Sequence, residues 1–115
     1  EKIGNAGSFF KNPVIPATTF NRLKKKFQNI PGFPNEKTVK VPAAWLIENT
    51  GWKGRRLGQV GVHDKQPLVL VNYGKGKGAD ILELSQRIQE EVLEKFEILL
   101  EREVNVIQPE NLIQV

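Results

Sequence analysis

Four places in the sequence combine residue types capable of chemistry. Gly4-Asn5-Ala6-Gly7-Ser8-Phe9-Phe10-Lys11-Asn12-Pro13 sets two glycines, a hydroxyl and then two aromatics in one short stretch. Glycines permit a close backbone approach, yet from pattern alone this stretch reads as a loop entering a strand. Gly74-Lys75-Gly76-Lys77-Gly78 lies between an apolar run and a helical pattern. In such a place phosphate can meet backbone amides at a helix N-terminus. The spacing is not G-x-G-x-x-G, no ribose-binding acid ends a strand about twenty residues on, and no Ser or Thr follows Lys77. A flexible, solvated connection is therefore the favoured reading. His63, the one histidine, has the chemistry of a general base, but without a Ser or Cys signature beside it a hydrogen-bonded structural role is favoured. Arg22, Lys24, Lys25 and Lys26 form a basic helical face that suits nucleic acid in principle and solvent in practice, since no reading motif accompanies it.

Composition narrows the options. At 115 residues with 39% hydrophobic and 26% charged residues, the chain fits one globular domain with one modest core. The absence of Cys removes disulfide scaffolds, thiolate nucleophiles and Cys-based metal sites. With a single His, a multi-histidine metal site cannot form within the chain, and no metal site is expected. The net charge of +4 is mild but segregated: basic near 22–26, 53–56 and 75–77, acidic from Glu83 to Glu103. Apolar runs are too short for a membrane span, and no secretory signal pattern is present. A chain that opens on Glu1 without Met reads as an excised piece or as one lacking its natural beginning.

The elements that must position these residues follow from periodicity. Residues 9–15 suggest a short strand broken by Pro13. Phe20, Leu23 and Phe27 suggest a helix over about 18–28, with a threonine available as cap. Residues 29–35, holding Pro31, Gly32 and Pro34, suggest a loop. Pro42 opens a helix carrying Ala44, Trp45 and Ile47, which Gly51 stops. Gly58–His63 is a weak strand, and Pro67–Tyr73 a buried one. Asp80 and Glu83 resemble a capping box. Beyond them Ile81, Leu84, Ile88, Val92 and Phe96 form one stripe of a helix over about 81–96. Its glutamates read as a soluble face with pairs such as Glu83–Arg87 and Glu91–Lys95. Trp45 and Trp52 suit core and rim packing better than a stacking platform. Alternation from Ile98 to Ile107 suggests a closing strand. The expectation is a small single α+β domain, a short mixed or antiparallel sheet packed against two or three helices.

The stretch GNAGSFFKNPVI at 4–15 is highly similar to the C-terminal domain signature of the UDP-N-acetylenolpyruvoylglucosamine reductase (MurB) family of peptidoglycan synthesis. VPAAWLIE at 41–48, GVHDKQPLVLVN at 61–72, the helix entered at Asp80 and LEREVNVI at 100–107 match in order. The resemblance covers nearly the whole of 1–115, and the SFFKNP form resembles the type I branch.

What the resemblance implies is the substrate-binding and proton-donating domain of a cytoplasmic FAD- and NADPH-dependent reductase. That enzyme converts UDP-N-acetylglucosamine enolpyruvate to UDP-N-acetylmuramate. In the family, hydride from reduced flavin reaches the terminal enolpyruvyl carbon. The matching serine, Ser8, protonates the neighbouring carbon. The matching glutamate, Glu103, stabilises the enolic intermediate with an arginine from another domain. Asn12 and Gln66 match residues that contact the nucleotide-sugar diphosphate. The family's flavin-binding domains precede this segment and nothing here resembles them. No flavin-binding residue is therefore assigned, and neither bound cofactor nor activity is expected of this piece alone. The type I family's upstream Lys and Tyr are likewise missing. Glu97 stands where relatives usually carry Gly or Asn.

These residue types suit the chemistry. A serine hydroxyl is a weak acid, but held in line it can protonate a strongly basic carbon. Glu103 beside the substrate's own carboxylate calls for a shared proton or a neighbouring cation. Amide side chains orient a diphosphate without adding charge. Glu101 shares a strand face with Glu103, and sequence alone does not separate them. The alternative reading, a basic nucleic-acid-binding module, predicts steeply salt-dependent binding.

Overall fold

The computed structural model describes residues 4–74, 76 and 78–103, with residues 4–8 described as backbone only. Seven short strands and three helices make an α+β fold with two antiparallel sheets. One sheet has four strands in the order β1 (Gly4–Ser8), β7 (Val69–Asn72), β6 (Val60–Val62), β5 (Arg56–Leu57). The other has three, β2 (Val14–Pro16), β4 (Thr38–Lys40), β3 (Phe33–Asn35). Pro16 and Pro34 both lie on edge strands of the small sheet, where a missing N–H costs no ladder bond.

The long helix α3 (Gly78–Phe96) packs on β6, and the short helix α2 (Ala43–Glu48) packs on α3. Ile81, Leu84, Ile88, Val92 and Phe96 are all buried, so the apolar stripe does face the core. The helix begins at Gly78, which leaves Asp80 inside the first turn rather than at the cap. A carboxylate there still suits the helix dipole. Helix α1 (Ala17–Lys26) starts at Pro16, with no side-chain cap. Its first N–H donates instead to Lys37 O at 2.9 Å, so the β3–β4 hairpin does what a threonine was expected to do.

Two segments read as loops are strands. Residues 4–8 pair with β7 (Gly4 with Asn72, Asn5 with Val71, Ser8 with Val69) although their glycines carry no alternating pattern. Residues 33–35 pair with β4 across a two-residue turn in which Glu36 takes φ 59°. Conversely, the strand expected over 9–15 is confined to Val14–Pro16, with Phe10 making an isolated antiparallel bridge to Arg102. The closing strand is represented among the described residues by that bridge and its flanking hydrogen bonds. Residues 104–107 of the expected strand lie outside the described residues. Gly51 ends the turn after α2 at φ 88°, and Glu97 follows α3 at φ 61°, a left-handed position that favours glycine.

Candidate functional site

Residues 9–11 meet residues 101–103, about ninety positions later in the sequence. Phe9 and Phe10 are buried and pack edge to face, with ring centroids 5.3 Å apart. Phe9 changes partner within one residue. Its N–H donates to Leu68 O at 2.8 Å, and its carbonyl accepts from Glu103 N–H at 2.8 Å. Lys11 N–H then donates to Glu101 O at 2.8 Å. Ser8, opposite Val69 on β1, is therefore one residue from the carbonyl that fixes Glu103. The register of β1 slips between Asn5 and Ser8, with three steps on β1 facing two on β7. Such a bulge locally bends and twists a strand, and bulges are common beside active sites.

Asn12 and Gln66 are held by different contacts. Asn12 Oδ1 accepts from Ala43 N–H at 2.8 Å, capping α2 from 31 residues away. That bond fixes the amide's orientation and leaves Nδ2, a double donor, with no partner among the described residues. Gln66 is exposed in the turn between β6 and β7, and its carbonyl accepts from Val69 N–H. The same turn is built on His63, whose Nδ1 accepts from the N–H groups of Lys65 (3.0 Å) and Gln66 (3.1 Å). The structural reading of His63 holds, and it bears directly on where Gln66 sits.

Glu101 and Glu103 separate in their surroundings. Glu101 is exposed and lies 3.8 Å from Lys11 Nζ, a surface pair. Glu103 is half-buried, and its Oε1 is shut off from solvent with no hydrogen-bond partner among the described residues. A carboxylate oxygen so placed is costly unless a donor reaches it. Sequence pattern missed the polar groups behind this segment. Ser85 is fully buried within the apolar stripe of α3, and its Oγ accepts from Arg102 Nε at 2.8 Å. Gln89, one turn on, donates from Nε2 to Leu100 O at 2.8 Å. The available signal was a serine interrupting an otherwise apolar helical face.

The remaining candidates are structural. The Gly74–Gly78 connection departs from the solvated linker that its composition suggests, because Gly76 is buried. Asn72 Oδ1 accepts from the N–H groups of Gly74 (2.9 Å) and Gly76 (3.0 Å), and Asn72 Nδ2 donates to Gly76 O (2.7 Å). These two amides are thus already engaged within the chain. On the basic helix, Lys24 Nζ donates to Ile30 O at 3.0 Å. Glu91, expected to pair with Lys95, instead accepts from Trp52 Nε1 at 2.9 Å, while Lys95 Nζ reaches Asn49 O at 2.7 Å. Among the described residues no group of three or more His, Cys, Asp or Glu could hold a metal ion. No described helix is long and apolar enough to cross a membrane.

Comparison with known proteins decides the family. The model of the UDP-N-acetylenolpyruvoylglucosamine reductase C-terminal domain matches residues 1–107. The chain belongs to this family. A Flavobacterium johnsoniae protein named UDP-N-acetylenolpyruvoylglucosamine reductase is 50% identical over 108 residues, which is 93% of this chain and 32% of that protein. An Amoebophilus asiaticus protein of the same name is 53% identical over 107 residues, covering 92% of this chain and 32% of its own length. A third reductase of that name, from Pseudomonas aeruginosa, is 50% identical over 105 residues, 90% of this chain and 31% of the relative. The chain spans about a third of the length of the curated relatives it matches. Nothing in these comparisons supports the nucleic-acid alternative.

Proposed function

We propose that this domain binds UDP-N-acetylglucosamine enolpyruvate and protonates it within a FAD- and NADPH-dependent reductase of peptidoglycan synthesis, forming UDP-N-acetylmuramate in the cytoplasm. The observation that carries the reading is the hydrogen bond from Glu103 N–H to Phe9 O, next to Ser8. It brings Glu103 to the residue that follows Ser8 although the two matching residues stand far apart in the sequence. The bond sets Glu103 beside the strand end that carries Ser8, as one small enolpyruvyl group served by both would require.

On this reading Ser8 supplies the proton that quenches the enolic carbon. Glu103 faces the enolpyruvyl carboxyl, where a shared proton or a cation from outside this domain is needed. Asn12, its Oδ1 committed to Ala43, presents Nδ2 donors to a diphosphate oxygen, and Gln66 does the same from the His63-built turn. Hydride is what FAD and NADPH contribute. The resemblance covers the substrate domain, so the flavin's place is assigned to the remainder of the enzyme. The 115-residue chain alone is expected to be colourless and inactive toward NADPH.

The test uses the full-length reductase that carries this domain, with its two half-reactions followed separately by flavin absorbance. Ser8→Ala should leave NADPH-driven flavin reduction near the parental rate and slow reoxidation by substrate by about 10²–10⁴-fold, the range of a positioned general acid. Glu103→Gln should act on the same half-reaction, and Glu101→Gln should be mild. Equal losses from the two glutamates would mean that the wrong carboxylate has been chosen.

A further inference from the structure

The segment that carries Glu103 is held from behind by α3 at two points. Ile98 and Leu100 are buried while Leu99 and Glu101 are exposed, so alternate residues of 98–102 turn toward the core. At the next inward position the chain places Arg102 instead of an apolar residue. Its Nε donates to Ser85 Oγ at 2.8 Å, and that hydroxyl in turn donates to Leu82 O at 2.7 Å. The single hydroxyl proton is thereby committed to the helix, and the lone pairs are left for Arg102. Gln89 Nε2 holds Leu100 O at 2.8 Å. Lys11 N–H holds Glu101 O from the opposite side.

The two fastenings match in spacing. Ser85 and Gln89 lie one turn apart on α3, about 6 Å along its axis at a rise of 1.5 Å per residue. Leu100 and Arg102 are two residues apart in extended chain, about 6.6 Å at 3.3 Å per residue. A slip of one residue would break both fastenings together and carry Glu103 by about 3.3 Å along the strand direction. A carboxylate serving a reacting group does not tolerate that, since about 1 Å of misplacement can cost a hundredfold in rate.

We infer that Ser85 and Gln89 are positioning residues of the reaction, fixing through Arg102 and the Leu100 carbonyl the register at which Glu103 meets the substrate. This rests on the reading of Glu103 given above. Neither residue touches substrate in this account, and both act on one strand.

The experiment uses the full-length reductase with Ser85→Ala, Gln89→Met, Ser85→Thr, Glu103→Gln and the double variant Ser85→Ala with Glu103→Gln. Ser85→Ala and Gln89→Met should each slow flavin reoxidation by substrate by about 10- to 100-fold, with flavin reduction by NADPH and substrate affinity changed less than about threefold. Ser85→Thr, which keeps the hydroxyl, should recover most of the rate. In the Glu103→Gln background Ser85→Ala should cost nothing further, because the group it positions is gone. Should Ser85→Ala not fold, Gln89→Met carries the same test. Parental reoxidation in the folded variants beside a slow Glu103→Gln would overturn the positioning role alone. Equal slowing of both half-reactions would overturn it too, as a general loss of structure. A Glu103→Gln enzyme that reoxidises at the parental rate would overturn the reading of Glu103 and this inference with it.

Discussion

Asn72→Ala should unfold this domain far more readily than its surface-like loop composition suggests. The Asn72 side chain is 6% exposed and makes three hydrogen bonds to Gly74 and Gly76. Gly74 is exposed and its freed N–H can rehydrate. Gly76 is buried, and loss of Asn72 strands both its N–H and its carbonyl. At about 1–2 kcal/mol for each buried group left without a partner, the loss comes to about 2–4 kcal/mol. The space offers no easy rearrangement, since a Cβ placed on Gly76 would lie 2.6 Å from Val60 Cγ1. Urea titration followed by tryptophan fluorescence is a suitable assay, because Trp52 is buried. With a slope of about 1.5 kcal/mol per molar urea, the midpoint should fall by about 1.3–2.7 M. A loss below about 0.5 kcal/mol would refute the reasoning and restore the solvated connection that the glycine–lysine alternation suggests.

Glu97→Gly should raise the stability of the domain by about 1 kcal/mol, seen as a melting temperature several degrees higher, because Glu97 is exposed and sits at φ 61° after α3. A lower melting temperature would show that its side chain contributes more than the backbone strain costs. Trp52→Phe should cost about 1–3 kcal/mol by deleting the indole donor to Glu91 and part of the core packing. Glu91→Gln, which keeps an acceptor, should cost less in the same thermal melt.

The fold was legible where side-chain pattern and packing agree. The stripe from Ile81 to Phe96 and the run Leu68 to Val71 announce a buried helix and strand because burial repeats at the period of each element. Strand β1 was not legible, since Gly4, Ala6 and Gly7 carry no alternation and the strand exists through its pairing with β7. The β3–β4 hairpin was hidden by Pro34, which an edge strand accepts, and by Glu36 at a turn position where glycine or asparagine would have signalled it. For the site, pattern could not distinguish Glu101 from Glu103. Their difference, a surface pair with Lys11 about ninety residues away against a shielded Oε1, arises in the folded chain and not in the local pattern. Asn12 offered no hint of capping α2, because the N–H it serves belongs to Ala43. Ser85 went unread although it interrupts the stripe, and nothing in the pattern pointed to its partner Arg102.

The meeting of Phe9 with Glu103 also sets a schedule. Chains are made from the N-terminus, so the carbonyl of Phe9 and the N–H of Lys11 exist long before the residues that pair with them. Bringing those ends together closes a loop of about 90 residues, which costs an unstructured chain on the order of 4 kcal/mol in entropy. Local pieces such as α3 can form without that cost, whereas the junction requires that most of the intervening structure be in place. Until then the backbone at 9–11 is an open edge, available to a second chain. A nascent chain halted before residue 100 would present Phe9 and Lys11 with neither of these backbone partners. The bond between Phe9 and Glu103 thus reports that the domain between them has finished folding.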